Sequence, residues 1–199
     1  MSGGGITGSR RRAGALVALL LTAAPAGRPA VASTLAAAEG HVALGYAQLV
    51  TSGAPGGNLS VTGGVDLPVV PSLRAGIDLG YHLLGSRAVA RGSLSANVSY
   101  SAFEAAAFAH WSPKHLGPVT RLSIGPALLA AHADLSAAAG GAGFSDLALD
   151  ETAGAVAFEA TAVKRAPSPV RIGFQVGALT AFLPGNTWTI VSARVSFHY

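Results

Sequence analysis

Cysteine is absent from the 199 residues. That excludes a disulfide framework and a thiolate metal site, and it removes the residue on which a lipid anchor is built. Charge is scarce: 11% of residues are Asp, Glu, Lys or Arg, against about 25% in an ordinary soluble domain. Lysine occurs only at Lys114 and Lys164. Such a surface is poorly furnished for water. No P-loop, dinucleotide fingerprint or HExxH is present, so no motif names a cofactor.

What basic excess exists is concentrated at the N-terminus. Arg10, Arg11 and Arg12 precede an apolar run from Ala13 to Ala24, too short to cross a bilayer as a helix. Ala30-Val31-Ala32 follows as an A-x-A cleavage site, with Ala24-Pro25-Ala26 as a second candidate. A basic stretch, an apolar core and small residues in that order predict a cleaved signal peptide over 1–32 and a mature domain over 33–199. Four of the thirteen basic residues lie in the leader, so nine remain against nine acids and the mature net charge is zero. Overall basicity therefore gives no support to a nucleic-acid partner.

Beyond Ser33 the pattern is alternation with a period of two, the mark of strands with two unlike faces. Leu73, Ala75, Ile77, Leu79, Tyr81 and Leu83 share one parity; Arg74, Gly76, Asp78, Gly80 and His82 share the other. Residues 59–67 and 170–182 behave alike. Gly, Pro, Asn and Ser clusters punctuate these runs. The spacing predicts eight strands, at about 41–50, 59–67, 73–84, 96–111, 119–132, 148–163, 170–183 and 187–199. Residues 85–95 and 133–147 read as long loops. In the fourth strand Val98 and Tyr100 have the opposite parity to Phe103, Ala105 and Trp111, which predicts either a bulge near Ser101–Phe103 or a loop extending to there.

The less apolar face is mostly Gly, Ala and Ser, with single charges between them. Small residues suit the cramped interior of a narrow barrel. Asp66, Asp78, Glu104, Glu151 and Glu159 fall on it with Arg74, Arg121, Arg171 and Arg194, which predicts an enclosed ion-pair network. The other face is then the lipid face of an all-β, eight-stranded, antiparallel up-and-down transmembrane barrel. A soluble secreted β-barrel binding module is the alternative that alternation alone leaves open.

The last strand reads TWTIVSARVSFHY, with Tyr199, Phe197, Val195, Ala193 and Val191 on one face. An aromatic end with apolar residues at alternate positions resembles the C-terminal signature of outer-membrane barrels. The segments RLSIGPAL from Arg121 and RIGFQVGA from Arg171 have the same cadence. Residues 33–199 thus resemble the small eight-stranded outer-membrane β-barrels, including the generic outer-membrane β-barrel domain and the OmpA transmembrane domain. The resemblance implies export through the inner membrane of a Gram-negative cell. It also implies outer-membrane lipid as surroundings, and recognition by the barrel-assembly machinery through the last strand. The resemblance is silent on activity; the reading preferred from the residues is a structural or interaction role through the outer loops, without enzymatic activity.

Two groups of residues invite chemistry. His110-Trp111-Ser112 places a base and a hydroxyl two residues apart on one face, with Glu104 on the same parity to orient the imidazole. It is similar to the His-x-Ser of outer-membrane lipid A deacylases, whose motif continues with Asn where this chain has Pro113. A lipid-modifying membrane enzyme using His110 and Ser112 is the alternative activity. His41 begins the first strand and His198 ends the last, so both point inward near one rim, with no third metal ligand evident. The bland reading of both groups is a polar plug.

Overall fold

The computed structural model describes residues 37–51, 54–91, 94–113, 118–139, 142–164 and 169–199. The expected leader, 1–32, lies outside them. Eight strands form one closed barrel: β1 (Glu39–Val50), β2 (Asn58–Val70), β3 (Leu73–Arg91), β4 (Leu94–Trp111), β5 (Arg121–Ala139), β6 (Ala142–Val163), β7 (Arg171–Leu183) and β8 (Asn186–His198). Each pairs antiparallel with its sequence neighbours, and β1 closes on β8 through a register running from His41↔His198 to Val50↔Thr189. Closure leaves no unpaired edge, the condition for strands to sit in lipid.

Glu39, Tyr199 and the turns after β2, β4 and β6 lie at one end, the terminal end. The opposite, hairpin end carries the β1–β2, β3–β4, β5–β6 and β7–β8 connections. At that end the expected long loops are strand instead. β3 and β4 stay paired to Arg91↔Leu94, and β5 and β6 to Ala139↔Ala142. β3 to β6 have 18 to 22 residues where the other four strands have 12 or 13. The wall is therefore extended by about 20 Å along those strands, at ~3.3 Å per residue. Gly and Ala in these segments read as loop because they lack a hydrophobic period, yet hairpin pairing is satisfied by backbone alone.

The expected bulge is present but belongs to the neighbouring strand. The β3–β4 register shifts between Leu83↔Ser101 and Gly85↔Tyr100, so Leu84 is the extra residue. Leu84 is fully buried, and Gly85 takes a φ of 84°, where an added Cβ would lie 2.0 Å from the Gly56 carbonyl oxygen. β4 keeps a single parity: Tyr100, Ala102 and Glu104 all face inward. The parity break inferred in β4 assumed that apolar residues must face out.

That assumption fails because the interior has two unlike halves. Toward the hairpin end it is packed with Leu49, Leu84, Leu129, Leu179, Leu183 and Ile190, with Tyr100 and Trp188 against them edge to face at 6.0 Å. Toward the terminal end it is polar. The outer surface is the reverse of a water-soluble barrel. Ile77 (66% exposed), Leu128 (60%), Ile172 (57%) and Phe174 (53%) form part of an apolar belt running round all eight strands.

Candidate functional site

The polar half of the lumen is built from odd or even positions of every strand, and its contacts reach across the barrel rather than along it. Glu39 on β1 is one hub. Its Oε1 lies 2.8 Å from Arg171 Nη2, 3.2 Å from Arg121 Nη2 and 3.2 Å from His198 Nδ1, and its Oε2 lies 3.9 Å from Arg74 Nη2. Asp66 on β2 is the second hub. Its Oδ2 accepts from Arg121 Nη1 at 2.5 Å, and its Oδ1 lies 2.8 Å from His110 Nε2. Arg121 thereby bridges the two carboxylates. Deeper in, His41 Nε2 contacts Asp78 Oδ2 at 3.1 Å, His82 Nε2 contacts Glu104 Oε2 at 2.9 Å, and Glu159 accepts from both Arg194 and Gln175.

Inward glycines make these contacts possible. Strands β1 and β3 are separated by β2, yet His41 meets Asp78 because their shared register partner is Gly64. A Cβ there would sit 2.0 Å from Asp78 Oδ1. Asp66 and His110 meet across β3 at Gly76, where a Cβ would be 2.3 Å from Asp66 Oδ1 and 2.5 Å from His110 Nε2. Arg194 and Glu159 meet across β7 at Gly177. Each of the three pairs thus skips a strand through a gap where a side chain is missing. In a barrel this narrow, side chains fill the lumen; a substituent at Gly64 or Gly76 would occupy the bridge itself, and one at Gly177 would crowd Arg194 and Glu159 at 3.2 and 3.3 Å.

The enclosed carboxylates are Glu39, Asp66, Asp78, Glu104 and Glu159, and the guanidiniums are those of Arg74, Arg121, Arg171 and Arg194. The expected network is therefore present with two changes of membership. Glu151 is exposed on the extended part of β6, above the buried ring that begins at Ala153. Glu39 was missed because alternation was counted only from His41.

Three imidazoles each stand between a carboxylate and a serine hydroxyl. His82 joins Glu104 to Ser60, His110 joins Asp66 to Ser123, and His198 joins Glu39 to Ser196, with imidazole–hydroxyl distances of 2.9, 2.8 and 3.0 Å. This order of groups is that of an activated nucleophile. All three serines are at most 2% exposed, so the hydroxyls are sealed inside the packed lumen where a substrate cannot approach them. The expected partners of His110 differ from those found. Asp66 and Ser123 occupy its nitrogens, Glu104 pairs with His82, and Ser112 lies apart at the terminal mouth. Sequence parity put these residues on one face, but cross-strand register decides who meets whom.

His41 and His198 do come together, stacked with ring centroids 5.6 Å apart. Among the described residues, the nearest approach to a metal donor set is His41 with Asp66 and Asp78, whose ligand atoms lie within 4.8 Å of one another. Both Asp66 oxygens already face Arg121 and His110, so this cluster is built as an ion-pair lattice. At the terminal end the lumen opens into a vestibule of about 570 Å³, bounded by Glu39, Arg74, Arg121 and Arg171 and by the apolar Pro68–Pro71 stretch. Above the belt on the outer wall, His132 is clasped by Asp134 at 3.0 Å and Asp150 at 2.5 Å. These exposed charges mark where the apolar surface stops on β5 and β6.

No protein-family model matches the sequence, and no characterised protein sequence matches it. Solved structures do resemble it. Ail, the attachment invasion locus protein of Yersinia pestis, aligns over 81% of this chain and 98% of its own, with 12% identity and a TM-score of 0.50. Neisserial surface protein A aligns over 81% and 95%, with 14% identity and a TM-score of 0.47. The N-terminal β-barrel domain of Pseudomonas aeruginosa OprF aligns over 81% and 97%, with 8% identity and a TM-score of 0.41. With eight antiparallel strands closed on themselves, an apolar outer belt and a filled interior, this chain has the fold of the small eight-stranded outer-membrane β-barrels.

Proposed function

We propose that the mature chain is a resident of the Gram-negative outer membrane, exported with removal of residues 1–32, and that it works as a non-enzymatic, non-conducting barrel. Its role is structural or interactive, exerted through the hairpin end. The observation that carries the reading is the inversion of the barrel. Large apolar side chains such as Ile77 and Phe174 face out, while Asp66, Arg194 and His198 are at most 3% exposed inside. A surface of that kind has lipid as its natural solvent. The apolar packing in the hairpin half and the ion pairs in the other half both oppose a water-filled path. The sealed serines argue against acyl transfer in the lumen.

In this reading the terminal end faces the periplasm and the extended β3–β4 and β5–β6 hairpins project outward, the side on which such barrels carry their longer extramembrane segments. Planar-bilayer recording of the purified protein tests the closed lumen: the expected result is no stable conductance step. Stable, large conductance from monomers would refute it. Sucrose-gradient fractionation of envelopes tests the location, with recovery in the outer-membrane fraction expected and recovery in the soluble periplasm contradicting it.

A further inference from the structure

The terminal vestibule combines three features of a small-molecule site. Its volume of about 570 Å³ falls in the range of roughly 300–1,000 Å³ typical of ligand pockets. Its wall at Pro68–Pro71 and Val163 is apolar, and its floor is cationic. Arg74, Arg121 and Arg171 all border it, and one bordering carboxylate, Glu39, is shared among them. Arg121 is further held by Asp66 below. Arg74 is the least compensated. Its Nη2 donates to the backbone carbonyls of Ala37 and Asp66, each at 3.1 Å, and reaches Glu39 only at 3.9 Å. Its Nε is buried without a hydrogen-bond partner among the described residues. Arg171 stands at the mouth with its side chain 39% exposed, so one edge of its guanidinium is open to the vestibule.

From this geometry we infer that the vestibule binds a small oxyanion carrying two or more negative charges, phosphate or carboxylate, with an apolar flank against Pro68–Pro71. Arg171 contacts the anion at the mouth. Arg74, whose side chain is 21% exposed, offers its guanidinium charge from the wall, and Arg121 stays on Asp66 as an electrostatic backdrop. Planar guanidiniums suit such ligands because they offer paired N–H donors to two oxygens. Glu39 is the internal competitor: it holds Arg171 and Arg121 in the free protein and yields part of that hold when the anion enters. Its removal should therefore improve binding, a sign that a purely structural ion pair would not give.

Isothermal titration of the folded barrel in a zwitterionic detergent with pyrophosphate, and separately with citrate, tests this. The soluble assay holds whichever end faces the cell, so its outcome is independent of the proposed location. Saturable one-to-one binding of at least one anion is expected. Arg171→Gln and Arg74→Gln should each weaken it about ten-fold or more, as for loss of one charge-assisted hydrogen bond. Glu39→Gln should tighten it. The phosphate and carboxylate arms distinguish the ligand's chemistry. Heat-modifiable gel mobility reports folding, and if Arg74→Gln does not fold, the mouth residue Arg171 decides. The proposal is overturned if neither anion binds saturably, or if binding is unchanged in Arg171→Gln.

Discussion

His41 and His198 are register partners across the seam that closes the barrel, and their rings stack inside it with centroids 5.6 Å apart. Neither ring is isolated. His41 leads on to Asp78, and His198 to Glu39 and Ser196. The first and last strands are thus joined by a backbone ladder and by two branches of the same polar lattice. The seam is therefore held by backbone pairing and by side-chain contacts together.

Asp66 is the more deeply buried of the two hubs of that lattice. It is fully buried, with Arg121 at one oxygen and His110 at the other. Asp66→Asn should destabilise the folded barrel by about 3–5 kcal/mol, because Arg121 keeps its charge in a buried place with half its compensation gone. Arg121→Met together with Asp66→Asn should be less damaging than the sum of the single changes. Urea unfolding in lipid vesicles, followed by tryptophan fluorescence, measures both.

The glycine gaps make a sharper forecast. Gly64→Ala should cost about 1–3 kcal/mol, since overpacking would force the His41–Asp78 bridge apart. The added Cβ would also fall 2.6 Å from the Ile77 carbonyl oxygen. Gly154→Ala is the control: nothing lies within 4 Å of its Cβ position, and the change should stay within about 0.5 kcal/mol. The same unfolding assay decides, and equal effects at the two positions would contradict the bridging role.

At the chain ends the forecasts concern biogenesis. N-terminal sequencing of protein from envelopes should begin at Ser33, with Met1–Ala32 absent. Tyr199 is 64% exposed on the apolar face of the last segment and pairs through its backbone with Gly40. Its deletion should lower the fraction of heat-resistant folded barrel while leaving processing of the leader unchanged.

The strands and their facing were legible in the sequence because period-two alternation is local. Ile77, Leu79, Phe174 and Val176 face out, and Asp78 and Gln175 face in, as parity predicts. The meeting of His41 with His198 followed from closure alone. Three things were not legible. The hairpin extensions of β3 to β6 carry no hydrophobic period, so only pairing reveals them. The apolar half of the lumen reverses the expected polarity, which displaced the bulge from Leu84 to the neighbouring strand. The partners of His110 depend on register across three strands, and Glu104, close in sequence, meets His82 instead.

The central claim is that, up to the bulge at Leu84, the odd positions of β3 face lipid and the even ones a dry interior. A single arginine at Ile77 should accordingly cost about 2–4 kcal/mol in bilayers, as a charge near the lipid midplane does. The direct measurement is fluorophore accessibility, with single cysteines introduced at 75, 77, 78, 79, 81 and 82 and treated with the label in vesicles. Positions 75, 77, 79 and 81 should be quenched by lipid-soluble agents and not by water-soluble ones, and cysteines at the inward positions 78 and 82 should resist labelling in the folded barrel. Water-soluble quenching at the odd positions, without quenching from the lipid phase, would show that the apolar belt does not sit in a membrane.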